Sequence, residues 1–210
     1  MDKYKETFQT WNKVAHLYQD KFMDLEMYNE SYDFVCNSVG KNKAKVLDIG
    51  CGPGNISKYL LSKRPDFDIL GIDVASNMIE LAKKNNPSAN FAVMDCREID
   101  SIKNQFDAII CGFCLPYLSE SDVEKFLQDC YNLLYENGLL YISFVEGNSN
   151  KSGFLTSNSG DRVYFYYHDL NELKSQLTHI GFEEHTVFKV KYQKSENEVE
   201  THTILVSSKK

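Results

Sequence analysis

The sequence predicts a single α/β domain built on a doubly wound, mostly parallel sheet. Three observations carry this expectation. From residue 43 onward, short apolar runs alternate with helix-patterned stretches. The first run ends in a cluster of glycines that opens a helix. The last two runs are joined too directly for a crossover, so they form a hairpin with one strand against the parallel direction. With 210 residues, one core can bury roughly 70% of the unfolded surface and needs no disulfide or metal staple.

The elements follow in order. Phe8, Trp11, Ala15, Tyr18, Phe22 and Leu25, then Tyr28, Tyr32, Val35 and Val39, recur at spacings of three and four, which predicts two helices with a break near Asn29, Glu30 and Ser31. They form a helical cap over residues 1–42. The apolar runs 45–49, 69–72, 91–94, 108–111 and 139–145 read as buried parallel strands. Helices are expected at 55–62, 76–85 and 122–135 between them. The third opens on a capping box, Ser121 with Glu124, and is expected to stop at Asn137-Gly138. Asp169 and Glu172 repeat the device, Leu170, Leu173, Leu177 and Ile180 share one face, and Gly181 ends that helix. Segments 182–192 and 201–206 make the terminal hairpin.

Composition narrows the function. At 42% hydrophobic and 25% charged, the chain does not read as disordered, collagenous or disulfide-built, and its longest apolar stretch, 139–145, is too short to span a bilayer. No membrane partner is expected. The net charge is −7, the only arginines are Arg64, Arg97 and Arg162, and lysines are interleaved with acids. A phosphate-tracking groove needs clustered base, so a nucleic-acid partner is not expected. The start, Met1-Asp2-Lys3-Tyr4, lacks an apolar signal region, and six cysteines show no framework spacing. Both features point to reduced thiols in the cytoplasm.

The chemistry concentrates at the strand ends. In Val46-Leu47-Asp48-Ile49-Gly50-Cys51-Gly52-Pro53-Gly54-Asn55, glycines let the backbone approach a ligand and a helix N-terminus faces it. The dinucleotide fingerprint fails, because the third glycine, Gly54, comes one place early and Asn55 holds its position. Asp48 would repel a pyrophosphate but attract an ammonium or sulfonium. Asp73 ends the second run, where a carboxylate can accept from both ribose hydroxyls. Asp95 ends the third, placed for an adenine amine. A nucleoside carrying a cationic group is the ligand these acids suggest.

The runs VLDIGCGPGN, GIDVASNMIELAKKN, FAVMDCREI, FDAIICGFCLPYL and NLLYENGLLYISF together resemble the ordered motif set of class I S-adenosylmethionine-dependent methyltransferases. The resemblance implies a three-layer fold with sheet order 3-2-1-4-5-7-6, the seventh strand antiparallel, and S-adenosylmethionine as cofactor, leaving S-adenosylhomocysteine. It implies a loop of Gly50, Cys51, Gly52 and Gly54 under the methionine half, with Asp48 near the amino group and sulfonium and Tyr18 at the carboxylate. Asp73 would hold the ribose diol, Val74 and Met78 would flank adenine, Asp95 and the Cys96 backbone would read its edge, and the Cys111 carbonyl would meet the ammonium.

Departures from the family pattern are informative. Ala75 stands where many members cap the next helix with Ser. Gly112-Phe113-Cys114-Leu115 replaces the Asn/Asp-Pro-Pro-Tyr/Phe motif of base amine methyltransferases, which argues against that reaction. Cys111 and Cys114 form a C-x-x-C, but the motif set assigns their loop to the cofactor pocket. No His/Asp/Glu cluster has ligand spacing, so no metal is expected.

The resulting expectation is methyl transfer to a small-molecule acceptor by in-line displacement. Residues 43–145 hold the cofactor, 146–168 form an acceptor-side insertion and 169–210 add a helix and the hairpin. Trp11, Phe22, Phe113, Tyr164 and Tyr166 are expected to line the acceptor pocket, with His168, His16 or Tyr117 handling a proton. Removing residues 1–37 is expected to harm turnover more than the fold. Competing readings are a non-catalytic module that binds the cofactor or its product, and a nicotinamide-dependent oxidoreductase. The aromatic stripe also allows a homodimer.

Overall fold

The computed structural model describes residues 2–157, 159–196 and 198–210; Met1, Asn158 and Asn197, the last in the expected hairpin turn, lie outside that description. Three helices come first, α1 (Lys3–Lys13), α2 (Ala15–Phe22) and α3 (Asn29–Ser38), with a 3-10 turn at Glu26–Tyr28. The alternating core follows: β1 (Lys45–Ile49), α4 (Asn55–Lys63), β2 (Asp68–Asp73), α5 (Ser76–Asn85), β3 (Asn90–Val93), β4 (Phe106–Cys111), α6 (Glu120–Leu133) and β5 (Leu134–Val145). A small hairpin, β6 (Gly153–Thr156) and β7 (Arg162–Phe165), precedes α7 (Leu170–Ile180) and the closing strands β8 (Phe182–Ser195) and β9 (Glu198–Lys209).

The sheet runs β3-β2-β1-β4-β5-β9-β8. β1 to β5 are parallel, while β9 is antiparallel to both β5 and β8. Because β6 and β7 pair only with each other, β8 and β9 take the sixth and seventh places, and the expected order holds.

Strand alternation divides the core in two. Leu47, Ile109 and Leu140 pack with Phe126 and Leu127 of α6 and Leu173 and Leu177 of α7. Val46, Ile110 and Tyr141 face the other way, onto Tyr32 and Val35 of α3 and Leu60 of α4. Helices therefore cover both faces, as parallel strands require.

Several local expectations need correction. The N-terminal stripe breaks at Val14 and again over 23–28, so Asn29 to Ser31 begin a helix instead of interrupting one. The cap of α6 is Ser119, whose hydroxyl accepts from the Asp122 N–H, and Ser121 lies in the first turn. Helix α6 stops at Leu133, where Leu134 is already extended, and Asn137-Gly138 falls inside β5. Tyr32, Val35 and Cys36 belong to the core, so a truncation through residue 37 would remove part of it and damage the fold directly.

Ala75 provides no side-chain cap for α5. A residue from α1 supplies one instead: Asn12 Oδ1 accepts from the Asn77 N–H at 2.9 Å, and the Asn12 carbonyl accepts from Asn77 Nδ2 at 2.8 Å. This remote cap explains why the local sequence can do without its own. Asn12→Ala should destabilise the chain by about 1 kcal/mol, the usual worth of a lost N-cap, measured as a lower urea midpoint with an unchanged slope.

Candidate active site

The site grows from the exits of the parallel strands. After β1 the chain turns through Gly50, Gly52 and Gly54, all at positive φ, a region that L-residues enter only under strain. Gly54 starts α4, and a Cβ there would lie 2.4 Å from Asn86 Nδ2. A Cβ on Gly52 would reach 3.6 Å from Tyr18 Cε1, filling space that now belongs to a cavity.

Asp73 ties this turn to β2. Its Oδ2 accepts from the Gly52 N–H at 3.0 Å and its Oδ1 from the Ala75 N–H at 2.8 Å. One further lone pair remains on each oxygen. Burial pushes its carboxyl above the ordinary range, against the pull of the backbone donors.

A cavity of about 380 Å³, the size of a small-ligand site, opens above these strand ends. Tyr18, Gly50, Gly52, Asp73, Val74, Met78, Asp95 and Cys96 of the sequence-predicted cofactor set lie in its wall. From the acceptor set, Trp11, Phe22 and Phe113 also line it, as does Tyr117, which meets the Trp11 ring edge-on at 5.4 Å. The two sets share one continuous space.

Other expected residues lie elsewhere. Asp48 shares the strand face of Val46, toward α4, so it is wholly buried behind the glycine turn with Oδ2 accepting from Ser57 Oγ at 2.6 Å. Its Oδ1 has no hydrogen-bond partner. Burial, reinforced by the Asp73 charge and opposed by Ser57, pushes its carboxyl up to about 6. Cys51 packs against Ile79, Ala82 and Phe91. Cys111 points into the α6 and α7 face, and Gly54 serves as a helix cap. None of these four residues lines the cavity. Asp95 is in the wall, but it is not a free acceptor: Arg97 folds back onto both of its oxygens at 2.6 to 3.1 Å.

The acceptor side needs larger corrections. Val163 and Phe165 face the cavity, so alternation turns Tyr164 and Tyr166 away, where they flank the Lys3 ammonium at 4.4 and 5.0 Å. His168 is buried with Nε2 at 3.0 Å from the Leu115 carbonyl, outside the cavity, and burial lowers its pKa. His16 is exposed on α2. Of the three expected proton carriers, only Tyr117 reaches the cavity.

The structure adds a group that sequence reasoning missed: Tyr28 from the 3-10 turn, Tyr192 and Lys194 from β8, and Glu200 and His202 from β9. The available signal was a period of two. An acid and a histidine at 200 and 202 must share one face of the last strand. Among the described residues, no cluster of three His, Cys, Asp or Glu could hold a metal, and no helix is long and apolar enough to cross a membrane.

Comparison with known proteins bears on this geometry. Residues 46–138 match the methyltransferase domain family. The demethylmenaquinone methyltransferase of Thermotoga maritima is 34% identical over 101 residues, covering 48% of this chain and 43% of that protein. The carboxy-S-adenosyl-L-methionine synthase of Campylobacter hominis is 27% identical over 149 residues, covering 68% and 63%. The chain spans about half the length of the curated relatives it matches. Among solved structures, a Burkholderia thailandensis 1,6-didemethyltoxoflavin-N1-methyltransferase, bound to 1,6-didemethyltoxoflavin and S-adenosylhomocysteine, superposes with a TM-score of 0.74 at 17% identity, covering 98% of this chain and 88% of that one. The domain match lies on the same β1 to β5 stretch that builds the glycine turn and the acid-lined strand ends, and the whole chain shares the fold of that solved methyltransferase.

Proposed function

We propose that the protein transfers a methyl group from S-adenosylmethionine to a small planar acceptor held in the aromatic half of the cavity. The observation that carries this reading is the single cavity itself, which runs from Asp73 and the glycine turn to Trp11, Phe113 and Tyr117. Residues at the first end suit the cofactor. Asp73 keeps lone pairs for a diol, Val74 and Met78 offer apolar contact to a flat base, and the unpartnered Asp48 Oδ1 beneath the turn favours a cation above it.

When bound, the cofactor supplies an electrophilic methyl group on a sulfonium. The chain's own residues supply alignment and dryness. Asp73 holds the donor end, Gly52 leaves the room it needs, and the aromatic walls orient an acceptor and keep water out, which suits in-line displacement. The N-terminal helices, the β6–β7 segment and the terminal hairpin all contribute to the acceptor walls. A net charge of −7 and the lack of a basic stripe favour a small molecule over a nucleic acid. One relative and one structural neighbour lend support by their names, which concern a demethylmenaquinone and a didemethyltoxoflavin.

Calorimetric titration with S-adenosylmethionine and S-adenosylhomocysteine tests the donor half. A mass-spectrometric screen of hydroxylated aromatics and quinols for a gained methyl group tests the acceptor half. Binding of both ligands with a methylated product is the expected result; a folded protein that binds neither ligand would overturn the reading.

A further inference from the structure

In the cavity wall, Tyr28 of the 3-10 turn meets Glu200 and His202 of β9. Tyr28 Oη lies 2.6 Å from His202 Nδ1. On the other side of the ring, His202 Nε2 faces Glu200 Oε2 at 3.7 Å, in ion-pair range. The imidazole is clamped in this orientation. Tyr192 stacks on it at 4.7 Å, and Phe113 meets it edge-on at the same separation. Phe113 is itself held at φ +55, with its N–H donating to Ser143 Oγ at 2.8 Å. A non-glycine residue kept in that conformation is a sign of local strain held by its surroundings.

The charge pattern sets the proton positions. Glu200 favours the ring proton on Nε2, which leaves Nδ1 as the acceptor. Burial keeps the Tyr28 hydroxyl protonated, so it is the donor in the Tyr28–His202 bond. The titratable and charged groups facing the ring are Tyr28 from the 3-10 turn, Tyr192 and Lys194 from β8, and Glu200 from β9. Lys194 pairs with Glu200 at 2.5 Å and Glu198 at 3.1 Å. Burial lowers the His202 pKa while Glu200 raises it, so the ring is neutral at rest.

We propose that Tyr28, His202 and Glu200 form a proton relay that ionises an aromatic hydroxyl acceptor, of the phenol class, where they line the cavity. This deepens the methyl-transfer reading and rests on it. The acceptor O–H bond breaks and its proton passes to Tyr28 Oη; the Tyr28 proton forms the new N–H bond at His202 Nδ1. A phenolate and an imidazolium result, and Glu200 stabilises the imidazolium. Tyr28 touches the acceptor, while His202 and Glu200 act as positioning and proton-holding residues behind it. The acceptor class follows from chemistry. A carboxylic acid is already ionised and needs no relay, an aliphatic alcohol is too weak an acid for imidazole, and the surrounding Phe22, Phe113 and Tyr192 rings suit a flat aromatic body.

The test uses the intact chain loaded with S-adenosylhomocysteine, with loading verified first by calorimetry. 4-Nitrophenol is then added, and its ionisation is followed through phenolate absorbance over a pH series. An apolar pocket alone raises a phenol's pKa, whereas the relay lowers it; the expected fall on binding is about one unit or more. Tyr28→Phe, which preserves the ring packing, and His202→Gln should convert that fall into a rise, while Glu200→Gln should give a smaller fall. A bound probe whose pKa rises in the wild type, or variants indistinguishable from it, would overturn the relay. Failure of the probe to bind the loaded protein would overturn the phenol assignment. Failure of S-adenosylhomocysteine itself to bind would sink the methyl-transfer reading as well, and the calorimetry separates that outcome from the others.

Discussion

Replacing Asp73 with alanine should weaken S-adenosylhomocysteine binding by two orders of magnitude or more. Hydrogen bonds to a charged group contribute about 1.5–3 kcal/mol each, and two lost to a ribose diol amount to roughly 3–6 kcal/mol, or about a hundredfold or more in Kd. The same change orphans the Gly52 and Ala75 N–H groups that the carboxylate now accepts from. Some loss of stability, about 1–2 kcal/mol, should accompany it. Asp73→Asn separates the two effects. Its amide oxygen can replace only one of the two acceptors and its NH2 then faces the other backbone N–H, so it should recover only part of the stability and still lose about tenfold or more in affinity. Titration calorimetry alongside urea unfolding measures both; wild-type affinity in a folded Asp73→Ala protein would remove Asp73 from the donor site.

The second large effect concerns Asp48 and has opposite signs for stability and binding. Its carboxyl lies at about 6 in the folded chain, against about 4 in an unfolded one. The folded state therefore holds this proton more tightly. The free energy of folding is unaffected by Asp48 below about pH 4 and is eroded as pH rises through about 6, with the full cost of roughly 3 kcal/mol present at pH 8. Asp48→Asn should be more stable than the wild type at pH 8, by about 1–3 kcal/mol after some loss of packing and hydrogen bonding, but no more stable than it at pH 4, where that loss stands without the compensating gain. Thermal melts at the two pH values measure this. The same variant loses the negative charge beneath the turn, so its affinity for the sulfonium-bearing S-adenosylmethionine should fall by about tenfold, and less for uncharged-sulfur S-adenosylhomocysteine. A variant with unchanged stability at both pH values would show that the carboxyl is not a buried charge in the folded chain.

The parts of this architecture that sequence makes legible are those with local rules. Glycines at 50, 52 and 54, an acid at the end of β2 and a hairpin too short for a crossover each follow from a few neighbouring residues. Parity proved harder. Residues 163 to 166 read as an aromatic patch, but an alternating backbone sends Phe165 to the cavity and Tyr164 to Lys3, and no composition argument fixes which. Asp48 has the same difficulty, because its strand face decides between ligand and helix. Asp95 was legible as a strand-end acid, but not its capture by Arg97 two residues on. The Tyr28 and His202 pair is separated by 174 positions, and only the sheet order, with β9 inserted beside β5, brings them together.

The cap that α1 lends to α5 has a consequence for the cavity walls. Asn12 follows Trp11 of the acceptor wall, and Asn77 precedes Met78 of the donor wall. Any swing of α1 away from α5 must therefore release the Asn77 N–H and fray the first turn of α5 beside Met78. The two walls of the cavity are thereby tied mechanically through one hydrogen-bonded pair of residues.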